Sequence, residues 1–320
     1  MTSVADTATA TREMPLRELV ESAVAGLNEI ILGKDAQVRL CLACLLARGH
    51  LLIEDIPGVG KTTLAHALAR TLGLSYQRIQ FTSDLLPADI IGVSVFETDT
   101  GQFRFHRGPV FAQLVLADEV NRATPKAQSA LLEAMEEHQV TADGQTYPLT
   151  EPFFVIATQN PVYQVGTFPL PESQLDRFLM RIELGYPAPS LERQLLLGRD
   201  RRDLLASLDC ALSPQQLLRL QGEVPKVHAS EALLDYVQAI ARHTRQAQEF
   251  DAGLSPRAVI SLLRAAQAWA FMHAHPGVLP EDVQAVLAAV VGHRLAPRDT
   301  ARFRNAGEIG QHVLAAVPVP

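Results

Sequence analysis

The sequence predicts an α/β fold in which a parallel five-stranded sheet, decorated by two β-hairpins, is followed by an all-helical segment. Three observations carry this expectation. Residues 51–72 read as an apolar strand, a glycine-bearing loop and a helix. Leu114 to Glu119 is an apolar strand that ends abruptly on two carboxylates. After Pro189 the strand pattern stops, and only helical periodicity continues to the C-terminus.

At 320 residues and 48% hydrophobic composition the chain can bury a full core. No apolar run reaches the length of a membrane span, and the first residues lack the basic-then-apolar order of a secretion signal. We expect residues 1–14 to be a disordered tail on a cytoplasmic protein without membrane insertion. A net charge of -7 argues against a general nucleic-acid coat. The three cysteines cannot build a disulfide framework. Cys41 and Cys44 form a Cys-x-x-Cys inside an apolar helical stretch, where core filling is expected rather than redox chemistry. The ten histidines are scattered, with no thiol or carboxylate cluster beside them in sequence, so no structural metal is expected.

Apolar residues at Leu16, Leu19, Val20, Ala23, Leu27, Ile30 and Ile31 recur at helical spacing, and Gly33 ends that helix. A second helix is expected from Ala36 to Arg48. The strand Leu51 to Glu54 then leads into Pro57-Gly58-Val59-Gly60-Lys61-Thr62-Thr63, a phosphate cradle. Gly58 and Gly60 let the backbone approach an anion, and the helix start exposes amides carrying partial positive charge. Lys61 adds a full charge, and Thr62 offers a magnesium ligand. The strict pattern has glycine where Asp55 stands, but an aspartate in a strand-exit turn can bond its own backbone.

Further strands are expected at Tyr76–Phe81, Leu114–Glu119, Phe153–Ala157 and Leu179–Leu184. Hairpins are expected around Asp99-Thr100-Gly101 and Asp143-Gly144, with a helix from Lys126 to His138 between them. Carboxylates at the end of a buried strand are expensive unless used. Asp118 suits hydrated magnesium, and Glu119 suits orientation or deprotonation of an attacking water. At a neighbouring strand tip Asn160 could hydrogen-bond both that water and a terminal phosphate without adding charge. A short helix from Leu170 to Phe178 carries Asp176 and Arg177.

Beyond Ser190, helices are expected at Ser190–Leu205, Ser213–Glu223, Glu231–Thr244, Pro256–Met272 and Pro280–Val291. Ser255-Pro256-Arg257 is a helix start from which Arg257 could point back towards the nucleotide.

The stretch from Leu116 to Glu137 resembles the signature of the MoxR family of AAA+ ATPases. Ala157 to Pro161, Leu170 to Phe178 and Ser255 to Ala258 are similar to its later motifs, so the resemblance covers about Leu27 to Arg294. It implies an AAA+ P-loop core (residues 15–189) with a parallel five-stranded sheet and β-hairpin inserts, followed by an α-helical lid domain (190–320). It further implies that Asn160 is sensor 1, that Arg177 is an arginine finger acting on the neighbouring subunit's nucleotide, and that Arg257 is sensor 2. Ile31 and Gly33 would lie near the adenine, with ATP and Mg2+ as the bound species.

The same resemblance implies a homo-oligomeric ring, expected to be a hexamer, that remodels or activates a client protein. The work would be maturation or metal or cofactor insertion, with a von Willebrand factor A domain partner. A magnesium-chelatase-like motor subunit and a nucleic-acid motor are the alternatives within the clade. The hairpins speak against the second: one carries Glu97, Asp99 and Arg104, with His106 and Arg107 beyond, and the other carries Asp143 and no lysine or arginine, a poor surface for tracking phosphates. A nucleotide-binding scaffold that barely hydrolyses is disfavoured because Glu119 and Arg177 are both present.

Overall fold

The computed structural model describes residues 16–160, 166–197, 201–299, 302–303 and 305–319. The expected tail at 1–14, Pro161 and the join at 198–200 lie outside them. Two helices, α1 (Leu16–Ile30) and α2 (Asp35–Leu46), precede β1 (Leu51–Glu54) and α3 (Lys61–Thr71). There follow β2 (Tyr76–Gln80), α4 (Pro87–Ile91), the hairpin β3 (Gly92–Glu97) and β4 (Gln102–Arg107), then β5 (Leu114–Asp118) and α5 (Pro125–Glu137). A second hairpin, β6 (Gln139–Ala142) and β7 (Gln145–Pro148), leads to β8 (Phe154–Gln159), α6 (Glu172–Leu175) and β9 (Met180–Ile182).

The five strands pair in the order β2-β5-β8-β1-β9, all parallel, while each hairpin is a separate two-stranded antiparallel unit. In a parallel sheet both faces are covered, so strands read as unbroken apolar runs with alternate residues on opposite faces. Leu51, Ile53, Leu114, Leu116 and Ile156 pack on one face with α1 to α3. Leu52, Val115, Ala117, Val155 and Ala157 pack on the other with Leu131, Leu132 and Met135 of α5. Cys41 and Cys44 are fully buried in α2, and burial pushes both thiols up, which fits core filling.

The C-terminal helices are α7 (Pro189–Leu197), α8 (Arg201–Ala206), α9 (Pro214–Glu223), α10 (Glu231–Gln246), α11 (Pro256–Met272), α12 (Pro280–Val291) and α13 (Ala306–Ala316). Ser213, Ser230 and Ser255 cap α9, α10 and α11 by accepting from backbone amides three residues on. The helix expected at Ser190–Leu205 is described as α7 and α8 on either side of residues 198–200, which lie outside the described residues, and α13 falls within the expected helical segment but outside the five spans named for it. Gly310 lets α13 approach α12 closely, since a Cβ there would lie 2.7 Å from the Cβ of Ala288.

Candidate active site

The phosphate loop leaves β1 at its C-terminal end. Gly58 and Gly60 adopt φ of 86° and 97°, and the space where their Cβ atoms would stand is open. An L side chain would be strained there, so glycine serves both the turn and an unobstructed cradle. Pro57 is exposed, Val59 half-buried, and α3 begins at Lys61, with Thr62 exposed and Thr63 half-buried in its first turn. The loop amides and the start of an 11-residue helix fit an anion.

Lys61 Nζ donates to the Asp55 carbonyl at 2.6 Å and to Asn160 Oδ1 at 3.1 Å. Burial pushes its pKa down, against the pull of the nearby Asp55, Asp118 and Glu119 carboxylates. Both acceptors are neutral oxygens, so phosphate oxygens can replace them with a net gain of charge pairing.

Asp118 is buried at the end of β5. Its Oδ1 accepts from Thr158 Oγ1 at 2.6 Å and its Oδ2 from Arg78 at 2.6 Å. Glu119, the next residue, has a left-handed φ of 57°, which turns its side chain out of the sheet. Its amide donates to Thr158 Oγ1 at 2.9 Å. Glu119 Oε1 accepts from Asn160 Nδ2 at 2.9 Å, and Oε2 accepts from Gln80 Nε2 at 3.1 Å and pairs with Arg122 Nε at 3.2 Å. Lys61, Asp118, Glu119 and Asn160 thus converge on one edge of the sheet, as their sequence setting predicts. The exposed Thr62 hydroxyl in the first turn of α3 and the buried Asp118 carboxylate at the end of β5 are oxygen donors of the kind that suit magnesium.

Ile31 is buried and Gly33 has φ of 68°. A Cβ on Gly33 would lie 2.1 Å from Leu191 Cδ1 of α7, so the turn after α1 is closed over by the first helix beyond the sheet. The connecting chain is fastened there too: Lys34 Nζ donates to the Tyr186 carbonyl at 3.0 Å, and Gln37 Nε2 donates to that of Glu183 at 3.4 Å.

Arg177 and Arg257 are placed elsewhere. Both pair with Glu136 at the end of α5, Arg177 at 2.9 Å to Oε2 and Arg257 at 2.7 Å to Oε1. They line a cavity of about 240 Å³ with Arg48, His50 and Arg264. His50 precedes β1, whereas the phosphate loop follows it, so the two arginines sit at the opposite edge of the sheet. The strand between is four residues long, or ~13 Å at the rise of an extended chain. Within its own chain Arg257 therefore faces Glu136 rather than the phosphate loop. The start of its helix is held beside Arg177, because Ser255 Oγ donates to Asp176 Oδ2 at 3.4 Å and Asp176 is itself held by Arg294. That buried guanidinium bonds Asp176 Oδ1 at 2.7 Å and the Phe178 carbonyl at 2.7 Å.

The profile of the ATPase family associated with various cellular activities (AAA) matches residues 50–180, and that of the AAA lid domain matches residues 242–312. The chain is 41% identical over 285 residues to Chaperone MoxR1 of Mycobacterium tuberculosis, covering 86% of this chain and 75% of that protein. It is 36% identical to Protein MoxR of Paracoccus denitrificans over 85% and 87% of the two chains. This chain belongs to the MoxR family of AAA ATPases. A crystal structure from Cytophaga hutchinsonii superposes on this MoxR-family chain with a TM-score of 0.85 at 37% identity, covering 95% and 96% of the two chains. The family implies nucleotide binding, and the core with its helical lid is the AAA arrangement. Among the described residues no helix is long and apolar enough to cross a membrane.

Sequence reasoning missed Arg78, Gln80 and Thr158, which orient the two carboxylates, and Glu136, which gathers the two arginines. Arg78 and Gln80 share one face of β2 by their spacing of two, beside Asp118 in register. That alternation was the available signal. Nothing in sequence singles out Glu136 among the acidic residues of α5.

Proposed function

We propose that this chain hydrolyses ATP at sites completed by a neighbouring copy, within a ring taken to be hexameric, with the core ending at residue 189 and the lid following. The observation that supports this reading is the division of the machinery between two edges of one sheet. Lys61 and the loop amides neutralise phosphate charge, Glu119 orients and deprotonates water, and Asn160 holds both Lys61 and Glu119 in register. Ile31 and Gly33 border the adenine. Thr62 and Asp118 would hold Mg2+, which supplies charge neutralisation on the phosphate oxygens. Arg177 and Arg257, ~13 Å or more away across the sheet, are presented to the nucleotide of the adjacent copy.

An arginine supplied in trans is worth about 10^3 to 10^5 in rate, or roughly 4 to 7 kcal/mol of barrier. A lone subunit is then nearly inactive, and assembly becomes part of the site. Mixing Glu119→Gln and Arg177→Ala proteins, each inactive alone, tests this. Mixed rings contain interfaces with an intact glutamate facing an intact arginine, so activity should partly return. Rings that form from the mixture and stay dead would remove the trans assignment.

The work of the cycle is read as remodelling of a client protein, in maturation or cofactor insertion, together with a von Willebrand factor A domain partner. One matched relative is named a chaperone. The β3–β4 hairpin supports a protein target, because Phe96 and Phe103 are exposed on it and Arg104 is paired with Glu97. Pull-down with Glu119→Gln rings held in ATP should recover that client, and DNA-stimulated, salt-sensitive ATPase activity would overturn the reading.

A further inference from the structure

The fold gathers a group of metal-ligating side chains far from the nucleotide site. His243 lies in the last turn of α10, Glu249 in the loop that follows, and His312 in α13. One ring nitrogen of each histidine and one carboxylate oxygen of Glu249 all lie within 4.8 Å of one another. His312 Nε2 and Glu249 Oε1 are 2.6 Å apart. Among the described residues, His243 Nε2 is buried without a hydrogen-bond partner. A buried polar nitrogen left in that state has lost its water without gaining a partner. A cation shared by the three side chains would give that ring a partner.

We propose that His243, Glu249 and His312 form a binding site for a divalent cation of the zinc class, clamping α13 to the end of α10. Two imidazoles and one carboxylate are a borderline nitrogen and oxygen set that suits zinc better than magnesium or calcium. Tetrahedral bonds of about 2.1 Å place ligand atoms roughly 3.4 Å apart. The His312–Glu249 pair therefore opens by about 0.8 Å and His243 closes by at most about 1.4 Å, within reach of side-chain rotation. The site is open enough for an ion to enter, with the Glu249 and His312 side chains 17% and 30% exposed. Three protein ligands leave the fourth position to water. The wall is firm: the His312 ring lies against Phe303 and Phe250, with centroids at 5.3 Å and 6.5 Å, and those two rings stack on each other.

The consequence lies in the lid. The cation would join the final helix to a loop and a helix more than sixty positions upstream, so the anchoring of α13 would depend on metal. This differs from the magnesium role of Thr62 and Asp118, which needs nucleotide.

The test uses the full-length protein stripped with chelator, free of nucleotide, in a Cys210→Ser background, because Cys210 is an exposed thiol that could bind zinc itself. Zinc is titrated against a chromophoric chelator and cobalt is followed by its visible absorption. We expect one equivalent per chain with micromolar or tighter affinity, an intense tetrahedral cobalt spectrum and a raised thermal midpoint. His312→Gln and Glu249→Gln, both at partly buried positions, should each weaken zinc at least tenfold and abolish the cobalt spectrum while circular dichroism is unchanged. Absence of stoichiometric zinc binding in the parent, or equal binding in parent and both variants, would overturn the site.

Discussion

The carboxylate of Asp55 accepts hydrogen bonds from the backbone amides of Leu184 and Gly185, at 2.7 Å and 2.6 Å to the same oxygen. Its other oxygen accepts from the Ile56 amide at 2.8 Å, and its carbonyl receives Lys61. The one residue that departs from the strict phosphate-loop pattern is thus the tie between the loop and the chain that leaves the sheet for the lid. Removing the acceptor deprives three amides, of which that of Leu184 is buried and those of Ile56 and Gly185 are partly buried, and a fully buried amide left unsatisfied costs about 1–3 kcal/mol. Asp55→Ala should lose roughly 2–4 kcal/mol in urea unfolding, and Asp55→Asn, which keeps one acceptor oxygen, should recover most of it. Unchanged stability in Asp55→Ala would mean the amides find other partners.

Lys61→Ala and Glu119→Gln should separate binding from turnover. The lysine makes charge-assisted contacts to phosphate, each worth about 1.5–3 kcal/mol, so its loss should weaken ATP binding by roughly 10- to 150-fold. Glutamine at 119 keeps the size of the side chain and one of its two acceptor oxygens but cannot take a proton, so binding should survive while hydrolysis stops. Equilibrium binding of a fluorescent ATP analogue decides it, and equal weakening by both variants would remove the roles given to the two residues.

Much of this architecture could be read in advance because the three central strands, β5, β8 and β1, are apolar runs and the helices are punctuated by serine caps, proline and glycine. Pro256–Met272 and Pro280–Val291 match the expected spans to the residue. Site residues whose chemistry is carried by local context, such as Gly58, Lys61 and Asp118, were likewise visible. What could not be read depends on register and on distance along the chain. Thr158 reaches Asp118 only because β8 lies beside β5, and Arg257 meets Glu136 across 121 positions. The His243, Glu249 and His312 group is of the same kind.

Arg294 should prove as important to the fold as any apolar core residue. Its side chain is 4% exposed and is held by Asp176 and the carbonyls of Phe178 and Leu179. Burial lowers its pKa and Asp176 opposes that shift. Breaking a buried pair leaves an uncompensated charge and typically costs about 3–5 kcal/mol. Arg294→Met should show a loss of that size in chemical denaturation. It should also lower ATPase activity more than ATP affinity, because Arg177 follows Asp176. A variant that unfolds like the parent would contradict this role.

His50 makes stability depend on pH. Its Nδ1 accepts from the Val155 amide at 3.0 Å and its Nε2 donates to the Met135 carbonyl at 3.2 Å, so the neutral ring staples β8 to α5. Burial pushes its pKa down to about 4, while the unfolded chain titrates near the ordinary 6.5. The native state therefore resists protonation that the unfolded state accepts. The stabilising contribution is full above pH 6.5, falls as pH drops and is exhausted near pH 4. Between pH 7.5 and 5 this linkage should remove about 2 kcal/mol. Glutamine can copy both hydrogen bonds without titrating, so His50→Gln should show a correspondingly flatter stability profile over that range. Urea unfolding of parent and variant at the two pH values measures the difference, and parallel losses would show that another group carries the acid sensitivity.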